Sequence, residues 1–354
     1  MHILVMTFGR YSSHMIQEVL KHLRLREVDH TVAIPGSLIA RVQGNRVEVL
    51  DKKGRIIQPD LVLNATSAAL GAEIVDYFEM TGVPVVNPVW ACRIAASKPQ
   101  TSMYLAVAGI RTPNAVMADK WSEKISALLR NSVGLPCVAK PRDGAQGKGV
   151  NAYQKWPEVA RRYRRAAEAV YIQRYVPNKG HTHRVYVIED QVIAAHYFNL
   201  YPHLRLGAVF ESRTNQLCPI TPELADIAIR ATASVGLNFS ALDIIQGPNG
   251  FEVLEVNSWP NGKTTDEICQ TSIGGVLVDY MIKRAAAKKE ERPHLDDRRR
   301  KGDPAAAELW IDGLAYGKPD GFRLSSYADR ITKLVDEDSD GRSDARPGVD
   351  APTS

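Results

Sequence analysis

Apolar and polar positions divide the chain into two textures. Residues 1–9 read as a short apolar strand, and Tyr11–Arg26 as an amphipathic helix with Ile16, Val19, Leu20 and Leu23 on one stripe. His30–Ile34, Leu61–Leu63 and Val83–Asn87 predict further strands. Ala69–Met80 predicts a helix, and Val89–Ala108 a single helix ending at Gly109. Arg46–Leu50 and Gly54–Ile57 predict a small hairpin insert. Strand–helix alternation of this kind implies a parallel sheet in an α/β domain over residues 1–110. Gly9 ends the first strand, but no GxGxxG follows, so no dinucleotide site is read there.

From Arg111 the alternation breaks down at Thr112-Pro113. Trp121–Arg130 predicts a helix, Leu135–Lys140 a strand, Pro157–Ala169 a helix and Val170–Val176 a strand. Arg184–Ile188 and Gln191–Tyr197 form a hairpin around Glu189-Asp190. Pro222–Val235 is a helix, and Ile273–Arg284 closes the packed part. This second region is α+β, with antiparallel elements over residues 111–285. Beyond about Ala285 charges, Pro, Gly and Ser dominate, including DDRRRK at 296–301 and DEDSDGRSD at 336–344. Residues 286–354 therefore read as a charged, disordered tail.

The most informative pattern is ALDIIQGPNGFEVLEVNSWPNGK, residues 241–263. Two apolar runs flank a turn and predict a β-hairpin. A three-residue loop Pro248-Asn249-Gly250 suits a type I turn closed by a left-handed glycine. That register sets Gln246 opposite Glu252 and Asp243 opposite Glu255, with Asn257 on the same face by the two-residue alternation of a strand. Two carboxylates and an amide oxygen then converge within an apolar hairpin. Facing like charges repel, and buried carboxylates are costly unless neutralised. A hard divalent cation with oxygen ligands answers that cost. The plainer alternative is a strand-capping Asp243 with Glu255 meeting a surface lysine.

Composition changes little. The 354 residues are 44% hydrophobic and 24% charged, ordinary for a soluble globular protein. A net charge of +5 is too mild to argue nucleic-acid binding. The four cysteines are scattered without CxxC spacing, which fits a reducing interior. No run approaches membrane-spanning length, and no basic region precedes the first apolar run, so a cytoplasmic protein is expected.

The second chemical signal is the loop Gly144-Ala145-Gln146-Gly147-Lys148-Gly149. It is not a P-loop, because its spacing is wrong and no Ser or Thr follows the lysine. Its glycines still let backbone N–H groups approach phosphates, though a plain hairpin tip is the simpler reading. Lys140 ends the apolar strand LPCVAK, where an ammonium needs an anionic partner. His181 and His183 form an HxH pair with no third ligand nearby and read as loop histidines. Arg161-Arg162-Tyr163-Arg164-Arg165 reads as a solvated helix face that also suits an acidic peptide.

Taken together, Lys98, Lys140, GAQGKGV, the strand YIQRYV, Arg184, LDII and LEVN occur in an order that resembles RimK-type ATP-grasp ligases over roughly residues 1–285. The resemblance implies an ATP-grasp fold preceded by a parallel-sheet pre-ATP-grasp domain. It divides residues 111–285 into a lid of about 111–176 and a metal-binding part of about 177–285. Lys98 and Lys140 would contact ATP phosphates under a flap that includes Gly144, Gln146, Gly147 and Gly149. Gln173, Arg174, Tyr175 and Val176 would form the hinge, whose backbone reads adenine. Asp243, Glu255 and Asn257 would hold magnesium or manganese. The implied reaction joins a carboxylate to an amine, such as an amino acid or an acidic peptide, through an acyl-phosphate. The chain departs from the family at Thr182, where an acid is usual, and across 195–220, where the usual arginine-rich segment is replaced. Arg184 is then assigned to the carboxylate substrate and Arg213 to the transferring phosphoryl group. A non-catalytic nucleotide-binding scaffold and a small-molecule kinase remain the alternatives, and a homo-oligomer is compatible with all three.

Overall fold

The computed structural model describes residues 1–8, 13–44, 46–66, 71–143, 148–165, 169–178, 181–198 and 216–300, with the side chains of 165 and 288–300 excepted. It opens with a parallel sheet of β1 (His2–Thr7), β2 (Asp29–Ala33), β5 (Leu61–Ala65) and β6 (Val85–Val86), in the order β2-β1-β5-β6. α1 (His14–Leu25) buries the expected stripe of Ile16, Val19, Leu20 and Leu23, joined by Met15. α2 (Ala72–Met80) packs Val75 and Phe78 against the other face of the sheet. β1 and β5 are almost wholly apolar because a parallel sheet is covered on both sides.

Two local expectations need correction. β4 (Arg46–Asp51) pairs along its length with β3 (Leu38–Gln43), and segment 54–57 adds a single bridge at Ile56. Gly44 follows β3 with φ +58, a conformation that glycine adopts without strain. The expected helix over Val89–Ala108 is two helices, α3 (Val89–Ala96) and α4 (Lys98–Val107), broken at Ser97. Pro99 lies in the first turn of α4, where its missing N–H costs nothing. The break places Lys98 at a helix start, with its backbone N–H donating to the Arg142 carbonyl at 3.1 Å.

The next sheet has the order β7-β10-β8-β9, built from β7 (Ala115–Ala118), β8 (Cys137–Ala139), β9 (Asn151–Tyr153) and β10 (Val170–Arg174). α5 (Glu123–Ser132), capped by Ser122, and α6 (Trp156–Arg165) enclose its core of Val116, Leu129, Val159 and Ile172. The third sheet has the order β12-β11-β13-β14, from β11 (Thr182–Ile188), β12 (Gln191–Phe198), β13 (Phe239–Gly247) and β14 (Gly250–Asn257), all antiparallel. α7 (Pro222–Ser234) covers one face through Leu224, Ile227, Ala228 and Ala231. α8 (Lys263–Cys269) and α9 (Ile273–Arg300) follow.

The largest core is continuous between the first and third sheets. Ile3, Val5, Leu61 and Leu63 pack with Tyr186, Phe239, Ala241 and, from α9, Leu277 and Met281. α9 runs past the expected boundary at 285 to Arg300, so the first part of the expected tail is helical. Its buried first turns nucleate the helix, and AAAKKEE continues it because Ala, Lys and Glu are strong helix formers. The remainder of the expected tail, 301–354, lies outside the described residues. Among the described residues, no helix is long and apolar enough to cross a membrane.

Candidate active site

The β13–β14 hairpin arrives at its facing acids by an unexpected route. Gly247 pairs with Gly250, so the loop is two residues, Pro248-Asn249, and not three. Glu252 therefore stands opposite Ile245 instead of Gln246. A one-residue slip of this kind would turn Glu255 to the other face of the sheet. A β-bulge next to Asp243 and Ile244 leaves Leu254 without a partner and restores the register, so Asp243 pairs with Glu255 and Ala241 with Asn257. Asp243, Glu255 and Asn257 share a face, while Leu242, Ile244, Val253 and Val256 fill the core beneath α7.

Asp243 is 1% exposed. Burial pushes its carboxyl pKa up, and the Glu255 carboxylate adds to that rise. Arg184, directly opposite on β11, pulls the other way, with its Nε 2.6 Å from one carboxylate oxygen and an Nη 3.2 Å from the other. Lys140, just past β8, is also buried. Desolvation lowers its pKa to about 8, opposed by Glu255 and Asp243 and reinforced by Lys98. Lys140 thus lies within electrostatic reach of Lys98, Asp243 and Glu255. Lys98 comes from α4, Lys140 from just past β8, and the acids from β13 and β14.

Beneath them, Tyr171 donates to or accepts from Ser102 at 2.7 Å, and the Gln173 amide reaches the same hydroxyl at 3.5 Å. Gln173 is 1% exposed, and its Oε1 has no hydrogen-bond partner among the described residues. At the expected hinge, two backbone N–H groups are already used. Arg174 donates to Asn114 O at 2.8 Å, and Tyr175 to Pro136 O at 3.1 Å. Val176 is buried, and its carbonyl accepts from Asn178. Gly149 adopts φ +75, and its carbonyl accepts from Asn151 and Arg162 at 3.1 Å each. Gly144, Gln146, Gly147 and Arg213 lie outside the described residues.

The donor set fits a hard divalent cation. Asp243 and Glu255 are paired carboxylates, Asn257 offers an amide oxygen two residues on, and the raised carboxyl of Asp243 marks a place where added positive charge is favourable. Arg184 already supplies one such charge.

Asn87 is an anchoring residue that hydrophobic patterning does not reveal. Its Nδ2 donates to Phe239 O at 2.7 Å and Ser258 O at 2.9 Å, while its Oδ1 accepts from the N–H groups of Asn238 and Phe239 at 2.9 Å. One buried amide thus pins the start of β13 and the corner after β14 to the end of β6. The only sequence signal is an Asn-Pro at a strand end. His183, read as a loop residue, is instead buried on β11 among Phe251, Tyr197 and His181.

Two four-stranded antiparallel sheets preceded by a parallel sheet fit the ATP-grasp class. The RimK-like ATP-grasp domain family matches residues 95–281, and the chain belongs to that family. It is 25% identical over 287 residues to a tetrahydromethanopterin:alpha-L-glutamate ligase of Methanococcus maripaludis, spanning 76% of this chain and 94% of the relative. It is 30% identical over 246 residues to a probable alpha-L-glutamate ligase of Vibrio cholerae, spanning 64% and 76% respectively. In fold it is similar to the ATP-grasp ligase PsnB, solved with minimal precursor, Mg and ADP (TM-score 0.64, 22% identity, 80% of this chain and 98% of that one). It is also similar to the D-alanine-D-alanine ligase of Coxiella burnetii (TM-score 0.62, 14% identity, 84% and 99%).

Proposed function

We propose that the protein is an ATP-dependent carboxylate–amine ligase, ADP-forming, that joins an amino acid to a peptide or small carboxylate through an acyl-phosphate. The observation that carries this reading is a buried lysine, Lys140, within electrostatic reach of a facing pair of carboxylates and of a second buried lysine, Lys98. Relatives named as glutamate ligases, and neighbouring ATP-grasp ligase structures solved with minimal precursor, Mg and ADP or with a precursor peptide and AMPPNP, support it.

In this reading Lys98 and Lys140 bind phosphate oxygens. Lys140 suits that task because burial deprives its ammonium of water, so a bound phosphate supplies the missing partner. Gln173, Arg174, Tyr175 and Val176 seat the adenine, and Gly144, Gln146, Gly147 and Gly149 cover the phosphates and exclude water. Magnesium, or manganese in its place, held by Asp243, Glu255 and Asn257, would neutralise charge spread over the transferring phosphoryl group. Arg184 keeps Asp243 ionised and lies beside the site where a substrate carboxylate would attack. Arg213 meets the phosphoryl group from the segment after β12. The carboxylate takes the γ-phosphoryl group, ADP leaves, and the amine displaces phosphate to form the amide.

The test is ADP release and product mass spectrometry with ATP, magnesium and a panel of amino acids and peptides. A ligase releases inorganic phosphate only when both carboxylate and amine are present, whereas a kinase yields a stable phosphorylated product without the amine. Glu255→Gln should lower ADP release by about 10²-fold or more while leaving the circular dichroism spectrum unchanged. Wild-type turnover in that variant removes Glu255 from the site.

A further inference from the structure

The glycine-loop sheet (β7-β10-β8-β9) and the hairpin sheet (β12-β11-β13-β14) share no strand. If ATP lies between them, its adenine rests on β10 and its phosphates on β13–β14, so the separation of the two seats must be fixed by something other than a β-ladder. Arg174 is the last residue of β10, and its Nη2 donates to both carboxylate oxygens of Glu252 on β14, at 2.7 and 2.8 Å. The Glu252 side chain is 6% exposed and that of Arg174 30%. Gly247 packs closely at the same place, since an added Cβ would sit 2.7 Å from the Val176 side chain and 3.4 Å from Glu252 Oε1. Arg111, at the entry to the glycine-loop sheet, grips the same hairpin. Its carbonyl accepts from Val253 N at 2.8 Å, and its guanidinium donates to Asn249 O. The Arg111 guanidinium is exposed, so the buried charged joint is the one between Arg174 and Glu252.

Glu252 is not one of the proposed metal ligands, yet it lies on the same strand, three residues before Glu255, and faces the cleft side of the hairpin. The adenine contact assigned to Arg174 uses its backbone, which leaves its side chain for the pair. We propose that Glu252 is a positioning residue that, through Arg174, locks the nucleotide hinge to the metal-bearing strand and so couples adenine binding to metal–phosphate binding. The coupling has a plain physical origin. With the joint intact, a nucleotide seated by one end meets the other seat already in place. With the joint broken, binding must also order one sheet against the other, and part of the metal's contribution is lost. This inference rests on the nucleotide-binding reading above.

The experiment is calorimetric titration of ADP in EDTA and in magnesium, for the wild type, Glu252→Gln and the charge-swapped double variant Arg174→Glu/Glu252→Arg. The readout is the ratio of the two affinities, which a general loss of stability does not change. In the wild type magnesium should tighten ADP binding. In Glu252→Gln that enhancement should shrink by about tenfold, with ADP affinity in EDTA nearly unchanged. The swapped variant should recover most of it and serves as the probe should Glu252→Gln not fold. An undiminished ratio in Glu252→Gln, or in the swapped variant an enhancement still absent, overturns the coupling role. No ADP binding by the wild type in either buffer overturns the nucleotide reading itself, and the proposal with it.

Discussion

Arg184 stands directly opposite Asp243 across the β11–β13 ladder, with its Nε 2.6 Å from the carboxylate. The arginine expected to bind substrate is therefore already engaged with an acid expected to bind metal. Removing one partner of a buried pair leaves an uncompensated charge and costs about 3 kcal/mol. Arg184→Ala should melt several degrees below the wild type. Because a divalent cation would neutralise the stranded Asp243, magnesium should raise the melting temperature of the variant more than that of the wild type. Equal magnesium shifts in both proteins would remove Asp243 from the proposed metal site.

Gly236, just after α7, couples the N-terminal region to the hairpin sheet. It adopts φ +77, and an added Cβ would lie 1.9 Å from the Trp90 ring on α3. Gly236→Ala therefore meets both backbone strain and overpacking, roughly 3–5 kcal/mol in all. Chemical denaturation should show that loss. Combining it with Trp90→Leu should recover the packing part and leave the φ penalty. A Gly236→Ala protein as stable as the wild type would mean that α3 is free to move away.

His183 ties acid stability to the same sheet. Burial lowers its pKa from 6.5 to about 4, against a backbone hydrogen bond with Ile244 O. Its folded-state pKa is below its unfolded value, so the unfolded chain binds more protons between those limits. Stability due to this group is intact above about pH 6.5 and falls as the pH drops towards 4. One pKa unit corresponds to about 1.4 kcal/mol, which puts the loss on the order of 3 kcal/mol. His196, also lowered by burial, adds with the same sign. Denaturant midpoints across pH 4–8 should slope less in His183→Gln than in the wild type. Parallel slopes would show that His183 titrates normally.

Much of the fold is legible in the chain itself. The stripe on α1, the parallel strands and the turn at Glu189-Asp190 follow from periodicity and turn chemistry, which depend on neighbours within a few residues. The family's motifs were readable for the same reason, since each is a short local run.

The three-dimensional arrangement settled what depends on distant partners. The facing acids were anticipated from a three-residue loop, yet they arise from a two-residue loop corrected by a bulge at Leu254, which the sheet imposes to keep Val253 and Val256 beneath α7. The burial of His183, the anchoring by Asn87 and the pairing of Arg174 with Glu252 all join segments far apart in the chain. A polar residue's partner is chosen by which elements pack beside it, and local pattern holds no record of that choice. Local pattern along the chain sets which elements form and which residue types are able to do the chemistry. Tertiary packing decided which of those residues meet, because burial and pairing of charge are properties of neighbouring elements and not of the run in which a residue sits.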